Sequence, residues 1–266
     1  MRALLIAGIF AAASQCLPWA YAAASPERPW EDAQAVITAT EADAMKNGIR
    51  GIQPHAADLE AVLASADKAY RATTPAAGPI YKFVDSQAEA LEAMMAAATD
   101  KRPEVAGRKA VAVKNPYVLA SFYLGTYYDE IGKPQDALRV LDAGLALPQV
   151  DPELAGGSHR PALISERGAA LIAMKRMPEA LADYDMGLKL GGLPAPYRGK
   201  LLRGRGYVLT ELGRLDDAEQ AYRDSLVADP NNQRAMAEMA YIGKIKAGGS
   251  HATGGMVTSG PPKTQQ

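Results

Sequence analysis

The chain has 266 residues, enough for one large domain or two small ones, with 29 basic and 30 acidic side chains and a net charge of −1. That balance offers no overall basic attraction for nucleic acid or anionic lipid. The single cysteine, Cys16, excludes an internal disulfide framework, and three histidines leave little material for a metal centre. Aromatic residues make up only 6%, alanine is abundant and runs of Val, Ile and Thr are short, so the composition favours helix.

Residues 1–24 carry the pattern of a secretory signal peptide. Arg2 supplies the positive end and residues 3–13 the apolar run, and Ala20-Tyr21-Ala22 or Ala22-Ala23-Ala24 offers small residues for cleavage. The apolar run is too short to span a bilayer. Gln15 precedes Cys16 where a lipidation site wants a small residue. The expected mature chain therefore begins at Ala23 or Ser25, has no cysteine and is one charge more negative. It has no stable membrane insertion and a periplasmic or secreted location.

Residues 25–116 read as a helical region, either degenerate repeats or a separate cap on the C-terminal half of the chain. A helix is expected over 30–47, ended by Gly48, then a loop over 51–54. A second is expected over 56–72, where Leu59, Val62, Leu63, Ala66 and Tyr70 recur at helical spacing. Residues 73–78 form a turn-rich connector. A third helix is expected over 86–99, with Ser86 and Glu89 as a capping box and Leu91, Met94 and Met95 facing a core. Residues 103–114 read as a loop.

From residue 117 the chain repeats itself. Gly125 and Ala137, Gly168 and Ala180, and Gly206 and Ala218 are pairs with one internal spacing. Four places after each alanine stands Leu141, Tyr184 or Tyr222, and one turn before each glycine stands Ser121, Ile164 or Leu202. Gly132 and Gly213 are helix stops, as residues free to take positive φ, and Lys175 stands at the matching place in the second copy. The third copy restarts with Asp216 and Asp217, acids in the first turn of a helix. It closes on Asp229-Pro230-Asn231-Asn232. Successive copies are spaced by more than 34 residues, which calls for longer loops at 148–160 and 191–196. A capping helix is expected over 233–247, carrying Met236, Met239, Ala240 and Ile242, and a disordered Gly/Ser/Thr/Pro tail over 248–266.

The pattern resembles the tetratricopeptide repeat (TPR), a 34-residue helical hairpin, over residues 117–232, in an exported bacterial type of chain. Arg167 departs from it where a leucine is commoner. The resemblance implies an all-α fold. It would be a helical-hairpin repeat solenoid, wound as a right-handed superhelix, with additional N-terminal helices and a C-terminal capping helix. It also implies that small residues let paired helices approach, so that the repeat residues are core.

Little chemistry stands out. His55, His159 and His251 each fall in a loop or tail, without ligand spacing, and Gly191-Gly192 lacks the strand and helix of a phosphate loop. No catalytic residue, cofactor or metal site is expected, and the chain reads as non-enzymatic. In the TPR family the first helix of each hairpin lines a concave groove. By the resemblance the wall residues are Phe122, Thr126 and Asp129; Ser165, Ala169 and Ile172; and Arg203, Tyr207 and Thr210, with Lys200 beside Arg203. Such a mixed wall suits an extended peptide held by one apolar anchor and one acidic group. The expected function is a protein-interaction scaffold or adaptor in the bacterial cell envelope, binding a peptide or protein segment, and no nucleic acid, in that groove. Two alternatives stay open: a glycan-binding scaffold using Tyr123, Tyr127 and Tyr128, and an envelope enzyme with its site in the N-terminal helices.

Overall fold

A computed structural model describes residues 28–84, 87–147 and 159–249. The leader, Ser86 with its capping role, and the tail from residue 250 onward fall outside these residues. Eleven α-helices are described: α1 (Pro29–Asn47), α2 (Ala56–Ala64), α3 (Ala66–Ala72), α4 (Gln87–Thr99), α5 (Pro116–Glu130), α6 (Pro134–Leu145), α7 (Arg160–Ala173), α8 (Met177–Leu188), α9 (Ala195–Glu211), α10 (Leu215–Ala228) and α11 (Gln233–Lys246), with two short 3-10 turns, Gly48–Gly51 and Gln53–His55, between α1 and α2. The fold is mostly helical, and α5–α6, α7–α8 and α9–α10 pair as three successive hairpins, with α11 packed on the last.

The hairpins close as the repeat residues require. A Cβ built on Gly125 would lie 2.5 Å from Leu141, on Gly168 2.6 Å from Tyr184, and on Gly206 2.8 Å from Tyr222. Each large side chain thus occupies the space that glycine leaves open on the facing helix. Ala137, Ala180 and Ala218 are completely buried at the same crossings. Each turn is a Schellman stop: the Gly213 N–H donates to Thr210 O and the Arg214 N–H to Leu209 O, and the same two bonds recur at Gly132–Lys133 and Lys175–Arg176. Gly132 and Gly213 take φ of 74° and 73° there, while Lys175 is forced to 58°. Arg167, the departure in the second copy, pairs with Asp183 at 2.7 Å and Asp142 at 3.0 Å. It therefore ties α7 to both α8 and α6 through charge rather than apolar packing.

The N-terminal helices α1 and α2 pack on α5, and their core is continuous with that of the first hairpin through Ile37, Leu59, Tyr117 and Leu124. Expected as one helix, 56–72 is two, divided at Ser65, whose hydroxyl donates to Val62 O at 2.8 Å.

Residues 103–114 are not simply a loop. Strands β1 (Ile80–Val84) and β2 (Ala110–Lys114) pair in parallel, Ile80 opposite Ala110, with α4 as the crossover between them. Tyr81 and Phe83 project into an aromatic cluster, with Trp30 4.8 Å from Tyr81 and Phe83 5.5 Å from Tyr117. Ile80 faces the opposite way, onto Ala97 and Val105. Strands of five residues are too short for alternation to announce them, and their partners are distant in sequence. The same unit overturns the expectation for α4: Leu91, Met94 and Met95 do not face a core but are 62%, 50% and 63% exposed, because the sheet receives only the alanine side of the helix.

Candidate functional site

The first helices of the three hairpins, α5, α7 and α9, lie side by side, and α11 comes next after them. Together they form a groove of about 420 Å³. Its wall includes Phe122, Thr126 and Asp129 from α5, Ser165, Ala169 and Ile172 from α7, and Lys200, Arg203 and Tyr207 from α9. The structure therefore brings together every residue expected on the wall except Thr210. That side chain is 2% exposed, and its hydroxyl donates to Gly206 O at 2.9 Å. Thr210 is therefore withdrawn from the groove, although Asp129 and Ile172, at the same offset from Gly125 and Gly168, line it.

The sequence mapping missed part of the wall. Tyr184 and Tyr222 reach the groove floor from the second helices. Tyr184 does so because Gly204, like Gly168, leaves room for its ring: a Cβ on Gly204 would lie 2.4 Å from it. Arg234 and Glu238 enter from α11. The sequence mapping stopped at the third hairpin, and the wall offsets of Arg203, Tyr207 and Thr210 carried on by one 34-residue period point to Ala237, Tyr241 and Lys244, so they do not reach either residue.

The charges are arranged rather than scattered. Asp129 and Glu130 lie at the C-terminal end of α5, on one side of the groove, while Arg203 and Arg234 lie on the other. Between them Lys200 Nζ sits 2.6 Å from Glu166 Oε1, and that carboxylate is only 10% exposed. Lys200 thus belongs to an internal ion pair rather than acting as a helper to Arg203. The Arg203 guanidinium lies against Gly199, where a Cβ would come within 3.2 Å of its Nη1, and 3.9 Å from Asp229. Its Nη1 is buried with no hydrogen-bond partner. Burial lowers its pKa from the usual arginine value, with Arg234 adding repulsion and Asp229 opposing both. Arg203→Glu would therefore place a buried carboxylate beside Asp229, and it is not the silent surface change that a wall position implies. Burial also raises the Glu238 carboxyl above its usual range, with Glu211 adding to the rise and Arg234 opposing it.

Other sequence candidates resolve elsewhere. Tyr123 is buried and its hydroxyl meets Glu41 at 3.5 Å, and Tyr128 donates to Glu60 at 2.8 Å, so neither joins the groove wall. His55 is not a loose loop residue: its Nε2 lies 2.8 Å from Asp43 Oδ2. His159 is half-buried at the start of α7 rather than exposed. Burial and the nearby Lys114 charge hold its pKa down to about 4. His251 lies outside the described residues. Among the described residues no group of His, Cys, Asp and Glu is placed to hold a metal ion, and no helix is long and apolar enough to cross a membrane.

Fold and groove together define a helical-hairpin repeat protein with a groove of mixed aromatic and charged lining along the first helices of its hairpins. Among solved structures, the chain is similar to the NMR structure of the first TPR domain of the human RPAP3 protein. The identity is 24%, the match covers 49% of this chain and 93% of that one, and the TM-score is 0.42. No protein-family model matches the chain, and no curated protein matches it.

Proposed function

We propose that this protein is a non-enzymatic interaction adaptor of the bacterial cell envelope that holds an extended segment of a partner protein in the groove formed by α5, α7, α9 and α11. The observation that carries this reading is the groove itself. Inner helices of three successive hairpins contribute to one cleft of about 420 Å³, a volume typical of ligand clefts. Its floor combines Phe122, Ile172, Tyr184, Tyr207 and Tyr222 with ionic groups at both ends. Aromatic rings give an apolar anchor a place to bury, and Arg203 and Arg234 offer charge to an acidic group of the ligand. The envelope location rests on the leader pattern of residues 1–24.

The test has two parts. The mature protein, recovered from a bacterial host, should have an N-terminus at Ala23 or Ser25 by mass spectrometry; a chain that starts at Met1 counts against export. That protein is then used to select binders from a random peptide library displayed on phage. Selected peptides should carry a large apolar residue and an acidic one, and should shift the Ile172 methyl resonance. Tyr207→Ala combined with Arg234→Glu should weaken them at least tenfold, about 1.4 kcal/mol. Arg223→Glu on the outer helix α10, where Arg223 pairs with Glu219, should not. Peptides that ignore the groove pair and respond to Arg223→Glu would move the binding face to the outside of the array.

A further inference from the structure

The last wall of the groove is α11, and the chain leaves that helix towards residues 250–266. Glu238 lines the groove, and α11 continues from it to Lys246. At about 1.5 Å per residue, the chain is then roughly 16 Å beyond Glu238 when it reaches Gly249. The next six residues are Ser250-His251-Ala252-Thr253-Gly254-Gly255, small or polar with two glycines, the composition of a tether. Extended, they span about 20 Å, enough to return the chain to the level of Glu238. Met256 and Val257 come next, a pair of apolar residues in an otherwise small and polar segment, and Lys263 stands seven residues after Met256.

The order of chemistry in that segment matches the order of chemistry across the groove. Starting from α11, the wall presents Tyr207 on α9, then Ile172 on α7, then Asp129 and Glu130 on α5. Adjacent helices are about 8–10 Å apart, so α9 to α5 is roughly 16–20 Å. Met256 to Lys263 spans about 23 Å when extended. With the Met–Val pair on α9 and α7, the lysine therefore reaches the acidic side. Methionine suits such a site, since an unbranched thioether fits irregular aromatic surfaces. A short tether raises the local concentration of the segment to the millimolar range, so weak intrinsic contacts suffice.

We propose that residues 256–263 dock in the protein's own groove, with Met256 and Val257 on the Tyr207–Ile172 wall and Lys263 beside Asp129 and Glu130, and that a partner must displace them. This rests on the groove being the binding site, and it adds a regulatory occupant to it. The consequence is a reduced apparent affinity for the partner, in proportion to the fraction of protein whose groove is open.

The experiment uses the mature chain, residues 25–266, which has no native cysteine, with isoleucine methyl groups labelled for NMR and a nitroxide attached at Thr258→Cys. The Ile172 methyl should lose most of its intensity, while the Ile37 methyl in α1 keeps its own. Adding Met256→Asp and Val257→Asp should restore Ile172. In the unlabelled chain the same two substitutions should tighten a phage-selected groove peptide by about two- to tenfold. An undiminished Ile172 signal, or one that stays quenched in the double-aspartate variant, overturns the proposal. The two readings fail separately. If selected peptides shift Ile172 but the nitroxide does not quench it, the groove binds partners and the tail does not use it. If only the nitroxide affects Ile172, the groove serves the tail alone and the adaptor reading falls.

Discussion

Two helical glycines make a matched test of the hairpin packing. Gly206 in α9 and Gly243 in α11 both lie inside helices. A Cβ at Gly243 meets nothing within 4 Å, whereas at Gly206 it would lie 2.8 Å from Tyr222 Cε2 and 3.0 Å from Cδ2. Replacing glycine by alanine in an open helical site gains about 0.5–1 kcal/mol, because alanine loses less conformational entropy on folding. Gly243→Ala should show that gain, at the lower end because it is near the helix terminus. At Gly206 the same gain is opposed by overpacking. Tyr222 is 2% exposed and Ala218 beside it is completely buried, so the ring has little space to retreat, and such insertions cost about 1–3 kcal/mol. Gly206→Ala should therefore be neutral to destabilising by about 2 kcal/mol, and Gly206→Leu worse. Urea unfolding monitored by circular dichroism reads both. With a slope of about 1–3 kcal/mol per molar, the two alanine variants should differ by roughly 1 M in midpoint. A cycle with Tyr222→Ala closes the argument: once the ring is gone, Gly206→Ala should recover the gain seen at Gly243. If Gly206→Ala stabilises as much as Gly243→Ala with Tyr222 in place, the close crossing of α9 and α10 is refuted.

Two further outcomes rest on single residues. Lys175 holds the left-handed conformation that glycine takes in the other two hairpins, so Lys175→Gly should raise stability by about 0.5–1 kcal/mol in the same urea assay, and no change would mean the strain is relieved elsewhere. Glu238 has a raised carboxyl pKa in the folded state, so its contribution is fully present below the unfolded carboxylate range and is lost as pH rises through the folded value. Glu238→Gln should thus melt higher than the parent at neutral pH, and the difference should vanish in acid; a gap that widens in acid would show that the carboxylate is stabilised rather than strained.

The hairpins were legible in the sequence because their determinants are local and repeated. Gly206, Ala218 and Tyr222 announce a crossing of two helices, and the same set at Gly168, Ala180 and Tyr184 makes a chance match hard to sustain. The inner wall came from the family resemblance that those repeats carry, placed residue by residue on the first helix of each copy. Thr210 was the exception: its offset from Gly206 is that of Asp129 from Gly125 and of Ile172 from Gly168, yet its side chain is buried away from the groove. Tertiary structure decided everything that depends on a distant partner. It paired β1 with β2 and left Leu91, Met94 and Met95 in solvent, although their spacing is that of a buried stripe. It also joined Lys200 to Glu166 and set Arg203 against Gly199 near Asp229, so that two basic residues, alike in sequence, serve differently. A sequence states which side chains share a helical face; only the packed chain states what stands opposite, and charge and burial are set by what stands opposite.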